Sequence, residues 1–191
     1  GFPALLDAAL AKRKEELKDV KIRGTLLFGP IQVVECDPHR EHFIYNSWHC
    51  SAYERKLCDK GLCNFIPMIF RNVVEYYRHF LDINVAMVSV APMDNHGYFN
   101  LSTSIGIAKG ILEKADVVIV EINENLPKIY GGHDDSIHIS EVDMIVEGEH
   151  GPLIQVPLLT PKETDIKIAE YIYIKKMPVV FNHISKYHGN E

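Results

Sequence analysis

Cationic charge is in short supply in this chain: Lys and Arg total 20 against 26 Asp and Glu, for a net charge of −6. No basic stripe interleaved with aromatics occurs, which argues against a nucleic-acid-binding surface. Long apolar runs are also missing. The longest are of strand length, so no segment reads as a membrane span, and no secretory leader is expected. Cysteine is sparse: Cys36, Cys50, Cys58 and Cys63 are the four, and none forms a C-x-x-C pair. In a chain of this apolar content they read as free thiols in a reducing compartment, the cytoplasm. A zinc site built from His49, Cys50, Cys58 and Cys63 is conceivable, but C-x7-C-x4-C is not a spacing that structural zinc usually takes. Internal repeats and low-complexity stretches are absent too. What remains is 191 residues, 47% hydrophobic and 24% charged, enough for one good-sized core.

Periodicity organises that material into alternating helices and strands. Residues 4–18 read as an amphipathic helix with Leu5, Leu6, Ala9 and Leu10 on one face. Residues 20–28 read as a strand ended by Gly29-Pro30, followed by an apolar run at 31–34 and a short strand at 42–45. Residues 51–60 predict a helix stopping at Gly61. Pro67 can open the next helix, 68–80, where an early proline is tolerated. A strand at 84–91 precedes a helix at 102–114, with Ser102 as a plausible N-cap. The nearly all-apolar 116–122 suits a central parallel strand covered on both faces. A short strand at 142–146 follows, then an extended connector at 148–161 and a last helix at 164–175. This alternation predicts an α/β fold: an open, mostly parallel sheet with helices on both faces. Residues 1–150 read as the domain, 151–176 as connector and helix, and 177–191 as a tail without an assigned element.

The most informative stretch is Ala91-Pro92-Met93-Asp94-Asn95-His96-Gly97-Tyr98-Phe99, onto which the strand at 84–91 opens. Loops at the carboxyl ends of strands in α/β sheets converge on the crevice where ligands bind. Asp94 and His96 bring hydrogen-bonding and acid–base groups, and Gly97 lets backbone approach a ligand closely. The alternative is a turn whose Asp satisfies its own backbone. His133, Asp134, Asp135 and His138 have metal-like chemistry, although such loops are commonly plain polar turns.

Taken with their order, several segments resemble the N-terminal domain of the acetyl-CoA hydrolase/transferase family, class I CoA-transferases that include butyryl-CoA:acetate and 4-hydroxybutyrate CoA-transferases. The resemblance is carried by Ser47-Trp48-His49 with Arg55-Lys56, by Pro67-Met68-Ile69-Phe70-Arg71-Asn72, and by Val85 through Asp94 with His96-Gly97-Tyr98-Phe99. Further carriers are Val120-Glu121-Ile122-Asn123, Asn125-Leu126-Pro127, Gly131-Gly132 and Ile137-His138-Ile139-Ser140-Glu141-Val142-Asp143. The resemblance implies a ping-pong transfer of CoA between an acyl-CoA and acetate through a glutamyl-CoA thioester. Coenzyme A esters would be substrates, with no bound cofactor and no metal.

The family's nucleophilic glutamate and glycine-rich loop belong to its C-terminal half, and neither motif occurs in this chain. The chain therefore reads as the N-terminal part of such an enzyme, without a catalytic residue of its own. Its partners would be acyl-CoA and carboxylate substrates, the C-terminal domain and further copies of itself, with no nucleic acid and no membrane. Candidates for the acyl and CoA pocket are Phe28, Gly29, Trp48, His49, Pro92, Asp94, His96 and Gly97. Glu141 sits in a Ser-Glu context like that of the family's nucleophile, but its position suits a capping or pairing role. The alternatives are an acyl-CoA hydrolase of the same family, a non-catalytic CoA-ester- or protein-binding domain, and a metal-dependent hydrolase using His133, Asp135 and His138.

Overall fold

The computed structural model describes residues 1–155 and 160–174. The backbone divides into two units, Gly1–Ile154 and Gln155–Glu191.

In the first unit, three parallel strands, β1 (Val20–Gly24), β2 (Phe43–Ser47) and β3 (Asn64–Phe65), lie in that order. Alternation along β2 sends Phe43 and Tyr45 to one face. There they pack with Val33 and Val34 of helix α2 (Gln32–Glu35) and Leu57 of helix α3 (Ala52–Asp59). Ile44 and Asn46 face the other way, across a cavity of about 170 Å³ from Tyr76 and Tyr77 of helix α4 (Phe70–Phe80). Helices thus cover both faces of this sheet.

A second parallel sheet has the order β4 (Val85–Val90), β6 (Val117–Ile122), β8 (Met144–Val146). Register places Ala86 beside Val118 and Val88 beside Val120. These residues form the main core with Phe99, Leu101, Ile137 and Leu112, the last from helix α5 (Ala108–Lys114). On the opposite face Glu121 is fully buried and accepts from the backbone N–H of Leu6 (2.9 Å), a residue of helix α1 (Ala4–Lys12). Two short strands, β5 (Tyr98–Asn100) and β7 (Ser136–His138), pair antiparallel.

The α/β class and the mostly parallel pairing are as expected, while the strands are shared among separate sheets. Several boundaries differ for local reasons. The first helix gives way to a 3₁₀ turn over Lys14–Glu16. The first strand stops at Gly24, and Leu26 takes φ 51°. The apolar run at 31–34 is mostly helical. The helix after Pro67 begins only at Phe70. Ser102 does not cap a helix. It sits at φ 54° in a 3₁₀ turn, its hydroxyl donates to Pro127 O (2.7 Å), and α5 starts six residues later at Ala108.

α3 shows how local chemistry sets a boundary. Ser51 Oγ accepts from Glu54 N (3.2 Å), and Glu54 Oε2 accepts from Ser51 N (2.8 Å), closing a capping box. At its other end Gly61, at φ 72°, donates to Cys58 O (2.9 Å), and Leu62 N donates to Leu57 O (2.8 Å). This is the Schellman pair of bonds, which reverses the chain.

In the second unit the described helix is α6 (Glu163–Ile174), with Asp165 Oδ2 accepting from Lys162 N (2.8 Å). The tail at 177–191 lies outside the described residues. Among the described residues no helix is long and apolar enough to cross a membrane.

Candidate functional site

β4 delivers the chain to a tight loop that returns as β5. Ala91 N donates to Asn100 O (2.9 Å), Asp94 N to Tyr98 O (2.9 Å) and Gly97 N to Asp94 O (3.1 Å). The Asp94 side chain completes the turn: Oδ1 accepts from His96 N and Tyr98 N, both at 2.9 Å. Gly97 has φ 85°, where an L side chain is strained, and a Cβ there would lie 2.9 Å from His138 Nε2. Tyr98 in turn meets the His138 ring edge to face at 4.9 Å.

Asp94 Oδ2 accepts from Lys128 Nζ (3.1 Å), and Lys128 is held in place by a buried neighbour. Asn100 Oδ1 accepts from Ile129 N (3.0 Å) while its Nδ2 donates to Ile129 O (2.9 Å), fixing the backbone beside Lys128. Asp94, Lys128, Tyr98, Tyr130 and Ser136 line a cavity of about 200 Å³. The Tyr98 backbone bond foremost, then His96 N and Lys128, hold the Asp94 carboxyl down to about 2. It is therefore a fixed carboxylate at neutral pH, and the cavity presents the Asp94–Lys128 pair, a second carboxylate from Asp135 and several hydroxyl groups. Such a surface can orient a polar ligand.

The Asp94 carboxyl lies at about 2 against its ordinary 3.8. Its contribution to loop order is complete above the ordinary value and lost as pH falls toward the lower one. Lys128→Met should move the Asp94 titration upward, read from the side-chain carboxyl carbon by NMR. An unmoved titration would mean that the backbone bonds alone hold it down.

Phe28, Gly29, Trp48 and His49 form another group, at the carboxyl ends of β1 and β2. Leu26 N donates to His49 O (2.8 Å) and Leu27 N to Glu54 Oε2 (3.0 Å), tying the two loops together. Phe28 and His49 are exposed. Trp48 is buried, packed with Val73, Tyr77 and Ile107 and tilted against Phe70 at 6.5 Å. It is core filling that also borders the cavity beneath α4. Pro92 and His96 are exposed beside Asp94.

Glu141 pairs with Lys109 Nζ (2.9 Å) and closes a capping box at His138, a capping and pairing role. Lys109 first, with the His138 N–H, holds its carboxyl below the usual range. His133, Asp135 and His138 do not converge: His133 bonds Asp134, Asp135 accepts from Gly131 N and Ser136, and His138 contacts Ser140. Among the described residues, the cluster that could hold a metal is Cys50, Cys58 and Cys63, with His49 outside it. Sequence reasoning missed Lys128, which lies 34 residues from Asp94. It also missed the buried Glu121, whose Oε1 lies 2.9 Å from His150 Nε2. It missed the buried Glu54 as well, although a Glu three residues after Ser51 is the signature of a capping box.

Comparison with known proteins adds context to this geometry. A family model described as the acetyl-CoA hydrolase/transferase N-terminal domain matches residues 1–157. A butyryl-CoA:acetate CoA-transferase of Anaerostipes caccae is 45% identical over 155 residues, covering 81% of this chain and 35% of that protein. A probable butyrate:acetyl-CoA coenzyme A-transferase of Syntrophomonas wolfei is 38% identical over 167 residues, 87% of this chain and 37% of that protein. Among solved structures, RipA from Yersinia pestis superposes with TM-score 0.73 at 29% identity, covering 84% of this chain and 39% of its own. The chain thus spans little more than a third of the length of the curated relatives it matches.

Proposed function

We propose, on the premise that this chain belongs to the acetyl-CoA hydrolase/transferase family as its N-terminal domain, that it forms one wall of a CoA-transferase cleft. The enzyme would move CoA between a short-chain acyl-CoA, butyryl- or 4-hydroxybutyryl-CoA, and acetate. The observation that carries this reading is the 45% identity to a butyryl-CoA:acetate CoA-transferase. Transfer is favoured over hydrolysis because the curated relatives compared above are both named transferases.

The chemistry would use a glutamate outside this chain. Its carboxylate attacks the thioester carbonyl and expels CoA thiolate, leaving an acyl-glutamyl anhydride. The thiolate then attacks the glutamyl carbonyl, releases the carboxylic acid anion and leaves a glutamyl-CoA thioester for acetate to reverse. Splitting the exchange in this way lowers each barrier. Asp94, His96, Gly97 and Pro92 would shape one side of the channel, with Phe28, Gly29 and His49 contributing from the other loop group and the buried Trp48 packed behind them. Lys128, by fixing Asp94, would be a positioning residue.

Residues 1–150 would be the domain proper, 151–176 the connector toward a C-terminal domain, and copies of the enzyme would associate. Exposed Phe65, Ile69 and Phe70 fit a face that a partner domain covers. The free thiols suit the cytoplasm.

Intact-mass spectrometry tests the division of labour. After incubation with butyryl-CoA the chain should remain at 21.7 kDa with no adduct. An acyl or CoA adduct would overturn the placement of the nucleophile. In the full-length polypeptide, Asp94→Ala should lower kcat/KM by about 10–100-fold, since misplacement by ~1 Å costs on the order of 100-fold. An unchanged kcat/KM would remove the loop from the cleft.

A further inference from the structure

Three of the four cysteines meet in space although their spacing gives no sign of it. Cys50 follows β2, Cys58 lies in the last turn of α3, and Cys63 immediately follows the Schellman reversal that leads to β3. Their three Sγ atoms all lie within 4.8 Å of one another, with Cys50 and Cys58 at 3.9 Å. Metal–thiolate bonds of about 2.3 Å at trigonal or tetrahedral angles separate the sulfurs by about 3.8–4.0 Å. The cluster is therefore at, or within an ångström of, the span that one shared cation requires.

We infer that Cys50, Cys58 and Cys63 form a three-thiolate site for one soft d¹⁰ cation, Zn²⁺ or Cu(I). The donor set selects the class: thiolates without carboxylate or imidazole prefer these ions to Mg²⁺, Ca²⁺ or Mn²⁺. Three sulfurs complete a trigonal Cu(I) site and leave the fourth position of a tetrahedral Zn²⁺ to water. On binding, each S–H bond breaks, an M–S bond replaces it and the proton passes to solvent. No electron is transferred.

Burial opposes ionisation of the Cys63 and Cys50 thiols in the unligated chain, a cost that ion binding must offset, since each sulfur binds as the thiolate. Ser47 Oγ, close to Cys50, is fully buried and without a hydrogen-bond partner among the described residues. A metal-bound sulfur would give that hydroxyl an acceptor. The ion would staple the ends of β2 and α3 to the start of β3, just behind Trp48 and His49. This site stands independently of the transferase reading.

The test uses the full chain, reduced with a phosphine and freed of metal. Zn²⁺ is titrated against a chromophoric chelator, and Cu(I) anaerobically against a competing ligand, to show which ion the site holds. One equivalent should bind. Loss of a mere outer hydrogen-bond partner costs about 10–100-fold in metal affinity, so Cys58→Ser should cost at least ~100-fold. Cys36→Ser, outside the cluster, should leave affinity unchanged. In the unsubstituted chain the bound ion should slow alkylation of Cys50 and Cys58 but not of Cys36, a readout that does not depend on any variant folding. Equal alkylation with and without both ions, or binding that survives Cys58→Ser, would overturn the site.

Discussion

Glu54→Ala should destabilise the chain by about 3–5 kcal/mol, seen as a lower urea midpoint with an unchanged slope. Glu54 is fully buried, and its two oxygens serve three donors. Oε2 accepts from Leu27 N (3.0 Å) and Ser51 N (2.8 Å), and Oε1 from Tyr45 OH (2.8 Å). Truncation strands two backbone N–H groups and a phenol away from water, at ~1–3 kcal/mol for each one left unsatisfied. It also dissolves the capping box of α3, a further ~1 kcal/mol. Glu54→Gln keeps the shape and one acceptor oxygen, so roughly half the loss is expected. Because the three donors come from the loop after β1, from β2 and from the start of α3, the variant should also loosen Leu26–His49 pairing. An effect of Glu54→Ala below ~1 kcal/mol would mean that water reaches these groups.

Phe99→Ala should cost a similar amount, about 3–5 kcal/mol, and should reach the candidate site. Phe99 is fully buried in the main core and lies opposite Ile137 in the β5–β7 ribbon. Interiors are packed too tightly for neighbours to fill the space of a lost ring. Phe99→Leu retains most of the volume and should cost under ~1.5 kcal/mol. Phe99 anchors the return limb of the Asp94 loop, so hydrogen exchange at His96 N and Tyr98 N should quicken in the alanine variant. Slow exchange in a destabilised variant would show that the turn is held by Asp94 and Lys128 rather than by the core beneath it.

Legibility varied with how local the cause was. The run Val117-Val118-Ile119-Val120 announced a central parallel strand, and β6 occupies the middle of its sheet. Gly61 announced the end of the helix at 51–60, and α3 stops there in its Schellman reversal. By contrast, β5 and β7 are three residues each and meet only across the fold, too short for an alternating pattern to be visible. Ser102 has the composition of an N-cap, yet its bond to Pro127 O holds it in a left-handed turn, and that partner lies 25 residues away. Asp94, His96 and Gly97 were legible as a loop at a strand's carboxyl end because turn residues following an apolar run are a local signal.

By itself, then, the sequence determined the elements whose causes lie within a few residues: periodicity, chain reversals and the α/β class. Its motifs also pointed to the family. The tertiary structure alone decided that Lys128 meets Asp94 and that Trp48 fills core between the first sheet and α4. It also decided that Glu54 gathers donors from three elements and that three unevenly spaced cysteines converge. Each of those contacts depends on strand register and on where the chain turns back. Neither leaves a periodic trace, because the partners are set by the packing of whole elements rather than by their neighbours in sequence.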